Sequence, residues 1–136
     1  MVAKSIRLLL VGSNGAVREG LELLLSIESD IEVVGQAADG RSAIRLGRKV
    51  RPEIVLVDLE SLGSRGIDEA ALIQRQLVVD VAVLTLRDDE AIRDRASQAG
   101  LHFLTKQGDT RALLDVVRNQ SAAADDLAPR KRREAQ

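Results

Sequence analysis

Arg51-Pro52-Glu53-Ile54-Val55-Leu56-Val57-Asp58-Leu59 is the stretch that decides the fold of this chain. Ile54 to Val57 is the most apolar run in the sequence and shows no polar alternation, so it reads as a strand buried on both faces of a parallel sheet. It closes on a carboxylate, Asp58, and two later runs close on Thr85 and Lys106. Open α/β sheets bind ligands beyond the carboxyl ends of their strands, so these three side chains are expected to meet in one crevice. The first run, Ile6 to Val11, should end at the same place. It ends in Gly12-Ser13, with no acid.

Outward from that strand the pattern alternates. Strands are predicted at Ile6–Val11, Ile31–Gln36, Ile54–Leu59, Val81–Leu86 and His102–Thr105. Apolar stripes at helical spacing lie between and after them: Val17, Leu21, Leu24 and Leu25; Ala43, Leu46, Gly47 and Val50; Ala70, Ile73 and Leu77; Ile92, Ala96 and Ala99; Leu113, Val116 and Val117. Asp39-Gly40, Arg51-Pro52, Gly63, Gly66, Asp88-Asp89 and Gly100 punctuate the units, while Gln76 to Asp80 carries no Gly or Pro to end the third helix. Five strand–helix units in one domain predict an α/β, (βα)5 three-layer sandwich with right-handed crossovers. The pattern itself does not give the strand order.

Bulk composition excludes several classes of function. With 136 residues, 45% of them hydrophobic and 30% charged, the chain is long enough for one buried core plus a tail. A formal net charge of −1 argues against a nucleic-acid surface spread over the whole chain, and one Phe with no Trp or Tyr argues against base stacking. The absence of cysteine excludes disulfides, and a single histidine, His102, excludes His-rich metal sites. The N-terminal apolar run is too short for a signal or membrane segment, so a cytoplasmic protein without membrane attachment is expected.

Several motifs together resemble response-regulator receiver domains of the NarL/LuxR type. They are IRLLLVGSNGAVREGL at Ile6–Leu21, IEVVGQAADG at Ile31–Gly40, RPEIVLVDL at Arg51–Leu59, VLTLRDDE at Val83–Glu90 and AGLHFLTK at Ala99–Lys106. The resemblance covers roughly residues 5 to 119 and implies a flavodoxin-like sheet of order 2-1-3-4-5. By the same resemblance Asp58 is the phospho-acceptor candidate, Thr85 and Lys106 contact a phosphoryl group, and Phe103 is the switching aromatic ring. The plainer readings are a strand-end acid capping a loop for Asp58 and core packing for Phe103.

The chain departs from the family where the family holds metal. Gly12-Ser13 replaces an acidic pair, Gly15 stands where Pro is usual, the loop before Phe103 is one residue shorter, and Gln107 follows Lys106 in place of a frequent Pro. Magnesium prefers near-octahedral oxygen coordination with one or two carboxylates. Asp58 is the sole acid left of the expected set, so Lys106 is expected to pair with it and Mg2+ to be held weakly at most. Glu60 supplies a backbone carbonyl in the family; its side chain would share a face with Asp58 if the strand ran that far. Asp88 and Asp89 read more simply as helix caps, as do Ser13 and Asn14, and no nucleotide-loop spacing surrounds Gly12.

The expected organisation is a receiver-like domain over 1–120 and a flexible basic tail or severed linker to an absent DNA-binding domain over 121–136. Leu127-Ala128-Pro129-Arg130 faintly resembles the opening of LuxR-type helix-turn-helix domains. The resulting expectation is an atypical receiver, not an enzyme and requiring no cofactor, that signals through protein contacts. Its partners would be a histidine kinase or other signalling protein, a second copy of the chain, and DNA only through another domain. Contact surfaces are expected on the first and fifth helices and on the face formed by Phe103 with the fourth helix, with Arg111, Asp115 and Arg118 facing any partner. Two alternatives stand beside it. One is a working phospho-receiver accepting on Asp58; the other is a small-ligand sensor using Ser13, Asn14, Asp58 and Thr85.

Overall fold

The computed structural model describes residues 5–87, 89–105 and 110–126. The elements are β1 Ile6–Val11, α1 Gly15–Ser26, β2 Ile31–Ala37, α2 Gly40–Val50, β3 Ile54–Asp58, a short α3 Leu59–Leu62 and a 3-10 turn Gly63–Arg65. There follow α4 Gly66–Leu77, β4 Asp80–Thr85, α5 Glu90–Gln98, β5 His102–Thr105 and α6 Thr110–Asp126. The five strands form one parallel sheet in the order β2-β1-β3-β4-β5. This is the flavodoxin-like arrangement that the motifs imply. The extra turn α3 makes the fourth and fifth helices of the sequence pattern α5 and α6.

Strand residues alternate between two cores, as a pleated strand requires. Leu9, Val11, Val55, Val57, Val81 and Val83 pack with Ala43, Ala70, Ile73 and Ala96 from α2, α4 and α5. Ile6, Leu8, Leu10, Ile54, Leu56 and Leu84 pack on the other face with Leu25 of α1 and Leu113, Leu114 and Val117 of α6. Both faces of β1, β3 and β4 are therefore dry, which is why those strands carry no polar alternation. Close approach of α2 to α4 depends on Gly47, where an added Cβ would overlap the Leu77 side chain.

Differences from the predicted elements have local causes. β3 stops at Asp58, one residue before the expected end, because the Asp58 carboxylate caps α3 and accepts from Glu60 N at 3.2 Å. α4 ends at Val78, which takes a left-handed conformation (φ 55°) and returns its N–H to the Gln74 carbonyl at 2.9 Å. An αL residue closes helices commonly, and here Val fills the role that Gly normally marks. α6 continues to Asp126, past Ser121, where the apolar period stops; Ala122, Ala123 and Ala124 are strong helix formers and extend it without a stripe. Asn14, Asp39 and Asp89 cap α1, α2 and α5 through their side chains.

Candidate functional site

β1, β3 and β4 lie side by side, with Val11 opposite Val57 and Val57 opposite Val83. Their carboxyl ends therefore bring Gly12, Asp58 and Thr85 to one edge. Asp58 and Thr85 are 2% and 1% exposed, and they are the buried polar side chains among the described residues. Burying polar groups is unfavourable unless they are hydrogen-bonded. Asp58 Oδ1 accepts from Glu60 N, so the plainer capping role and a place at the strand end both hold for it. Lys106, and with it the expected pairing with Asp58, lies outside the described residues, as do Gln107 and Asp88.

Glu60 goes where the period-two argument does not send it. Because the strand has already turned into α3, its side chain leaves the Asp58 face and crosses to β4. Its Oε2 accepts a short hydrogen bond from Thr85 Oγ1 and a second from Leu86 N at 2.8 Å. Thr85 Oγ1 in turn accepts from Arg87 N at 3.2 Å. The hydroxyl expected to meet a phosphoryl group is thus engaged by a carboxylate of the same chain.

On the β1 side, Ser61 packs against Gly12. A Cβ on Gly12 would stand 2.8 Å from Ser61 Oγ and 3.0 Å from Asp58 Cβ. Ser61 Oγ donates to the Asp58 carbonyl at 3.1 Å and accepts from Ser13 N at 2.9 Å, while Ser13 Oγ donates to the Ser61 carbonyl at 2.5 Å. Ser13 therefore ties β1 to α3, and Asn14 alone supplies the cap, accepting from Val17 N at 3.2 Å. Arg18 of α1 donates to the Gly12 carbonyl through a short contact and to Gln36 Oε1 at 2.9 Å. A guanidinium thus sits at the carboxyl end of β1. Among the described residues no three His, Cys, Asp or Glu side chains gather at metal-holding range.

Phe103 is half-buried against the core on the α2–α4–α5 side, and the Arg93 guanidinium of α5 lies 4.5 Å from its ring centroid. Core packing and contact with α5 thus coexist at this ring. Asp89 caps α5 by accepting from Ala91 N at 2.8 Å, which fulfils the capping reading. Arg118 corrects an expectation. It does not stand open to a partner but clasps Asp30 (2.7 and 2.9 Å) and Glu28 (2.7 Å). That pairing holds the Asp30 carboxyl below its ordinary value and raises the guanidinium's own, the Asp30 hydrogen bond being the main cause. Ser61, Arg18 and Arg93 are the site residues that sequence pattern alone misses. Ser61, three residues after Asp58, was the one with a local signal, because serine at that spacing back-bonds to a carbonyl.

Residues 8–118 match the family model described as the response regulator receiver domain. The chain belongs to that family. It is 33% identical over 125 residues to the transcriptional regulatory protein LiaR of Bacillus subtilis, covering 90% of this chain and 59% of the relative. The match to DegU of Brevibacillus brevis is 31% over 115 residues, covering 83% and 49%. The chain thus spans about half to three fifths of the length of those relatives. Among solved structures, the signal receiver domain of NarL from Mycobacterium tuberculosis aligns with TM-score 0.73 and 29% identity, covering 85% of this chain and 98% of that one. A LuxR-family response regulator from Aurantimonas aligns at TM-score 0.78 and 30% identity, covering 88% and 87%. This receiver domain is accordingly that of a LuxR-family two-component response regulator. No helix among its described residues is long and apolar enough to cross a membrane.

Proposed function

We propose that this receiver is atypical: it signals through protein–protein contacts, with weak or no metal-dependent phosphorylation of Asp58. The observation that carries the reading is the contact between Gly12 and Ser61. The position that would offer a metal-binding acid has no side chain, and Ser61 Oγ occupies the space one would need. Ser13 Oγ is engaged by the Ser61 carbonyl and the Glu60 carboxylate by Thr85 and Leu86. A hard divalent cation prefers several carboxylate, carbonyl or water oxygens in octahedral array. Among the described residues the oxygen set at this edge does not match that demand, and the Arg18 charge on the Gly12 carbonyl opposes a second cation nearby. The test is incubation with acetyl phosphate and magnesium followed by intact-mass measurement. No phosphoryl adduct is expected; an adduct that Asp58→Asn abolishes rejects the reading.

A working phospho-receiver is the second reading, supported by the burial of Asp58 beside Thr85 at adjacent strand ends. A ligand sensor has less support, since Ser13, Asn14 and Thr85 already engage groups of the same chain. Within the longer regulators, contact with DNA belongs to a further domain and input to a histidine kinase or another signalling protein. A second copy of this chain is the partner proposed for α1, whose outer face carries Gly20, Leu23 (70% exposed) and Leu24 and continues into its C-cap Ile27 (76% exposed). Those four positions follow the i, i+3, i+4, i+7 spacing of one helical face.

A further inference from the structure

We infer that the Glu60 carboxylate is a built-in anion filling the phosphoryl-oxygen subsite of the crevice, so that the turn from Thr85 to Arg87 is held in its engaged geometry with no phosphoryl group on Asp58. The inference rests on the receiver-site reading above and names the group that regulates that site. One carboxylate oxygen, Glu60 Oε2, collects a hydroxyl donor and a backbone amide donor from consecutive residues, Thr85 and Leu86. Convergent hydroxyl and amide donors suit an anionic oxygen, and charge-assisted hydrogen bonds are among the stronger ones. Thr85 Oγ1, its hydrogen directed to Glu60, presents a lone pair to Arg87 N at 3.2 Å. The carboxylate therefore sets the hydroxyl, and the hydroxyl sets the turn from 85 to 87.

The acceptor holds the base of this device. Asp58 Oδ1 accepts from Glu60 N, and α3, which Asp58 caps, presents the Glu60 side chain to β4. Past the turn, Asp89 caps α5, and Arg93 on that helix covers the Phe103 ring. A tethered carboxylate acts at high effective concentration, so a free anion must outcompete it to reach Thr85 and Leu86. The intact protein is therefore insensitive to phosphate, and removing the Glu60 carboxylate opens the subsite.

Amide hydrogen exchange and 1H–15N spectra of the full chain, in magnesium-free buffer at neutral pH, test this. In Glu60→Ala the Leu86 amide is expected to exchange about tenfold faster or more, with Leu9 in β1 unchanged as the folding control. Inorganic phosphate at tens of millimolar should restore Leu86 protection in Glu60→Ala, leave the parent spectrum unmoved, and fail in Glu60→Ala/Thr85→Val. Glu60→Gln, which keeps the shape and loses the charge, should fall between parent and Ala. Unchanged Leu86 exchange in Glu60→Ala, no rescue by phosphate, or equal phosphate response in parent and variant each overturns the inference. Phosphorylation of Asp58 by acetyl phosphate would reject the preceding reading while leaving this magnesium-free comparison intact, so the two failures are separable.

Discussion

At Gly12 there is no room for a side chain. Even a methyl group would meet Ser61 Oγ at 2.8 Å and Asp58 Cβ at 3.0 Å, and the second of these cannot swing aside. Gly12→Ala is expected to lower stability by about 1–3 kcal/mol, the usual cost of overpacking a fitted site. Ser61→Gly in the same chain should recover only part of it, because the Asp58 contact remains. Urea denaturation of the parent, single and double variants checks both; a neutral Gly12→Ala would show that the edge is looser than the contacts indicate. That the end of β1 carries no acid is plain in the sequence at Gly12-Ser13. That Ser61 occupies the space is not, because a serine three residues after a strand-end acid has many local uses. For Glu60 the condition on sharing a face with Asp58 is not met: period-two alternation holds only while the strand lasts, and β3 ends at Asp58.

The strands were legible to within a residue at most ends, and a boundary was obscure where it depended on one backbone angle. β1 and β5 fall on their predicted limits, β3 starts where predicted and ends one residue early, and β4 is shifted one residue towards the N-terminus. The end of α4 has no Gly, Pro or Asn to announce it, since Val78 takes the left-handed conformation at 86% exposure. For a β-branched residue that conformation is unfavourable by roughly 1–2 kcal/mol, with no burial to offset it. Val78→Asn, which tolerates αL without glycine's entropy, is expected to stabilise the fold by about 1 kcal/mol. Thermal or chemical denaturation checks this, and an unstable Val78→Asn would indicate that Val78 contributes contacts that outweigh its backbone strain. α1 is a second case. Its stripe named Leu24 and Leu25 together, and of the two Leu25 is fully buried, while Leu24 lies at the surface and Leu23 and Ile27 stand open.

Over the whole molecule, the ion cluster of Arg118 with Asp30 and Glu28 joins α6 to the connection between α1 and β2 across 88 and 90 residues of sequence. No local pattern announces a contact of that separation, which is why Arg118 read as a surface residue. Asp30 has its carboxyl lowered below 3.8, first by the Arg118 hydrogen bond. A depressed carboxylate stabilises the fold above its unfolded value and loses that contribution as pH falls through the folded one. Parent should therefore be more stable than Arg118→Ala at neutral pH, with the gap closing below pH 3.8. Denaturation at several pH values reads it; a gap that persists in acid would assign the effect to packing of the arginine stem. The exposed α1 face belongs to the same scale. Sedimentation should show concentration-dependent dimers that Ile27→Glu removes, and a monomer at every concentration would leave that face to another partner.

The claim beneath the functional reading is that the edge around Asp58 lacks the oxygen donors to hold a hard divalent cation. Calorimetric titration of the full chain with magnesium tests it most directly. Weak heats with no saturation at or below the millimolar range are expected. Sub-millimolar affinity that disappears in Asp58→Ala would contradict the claim and restore an ordinary phospho-receiver.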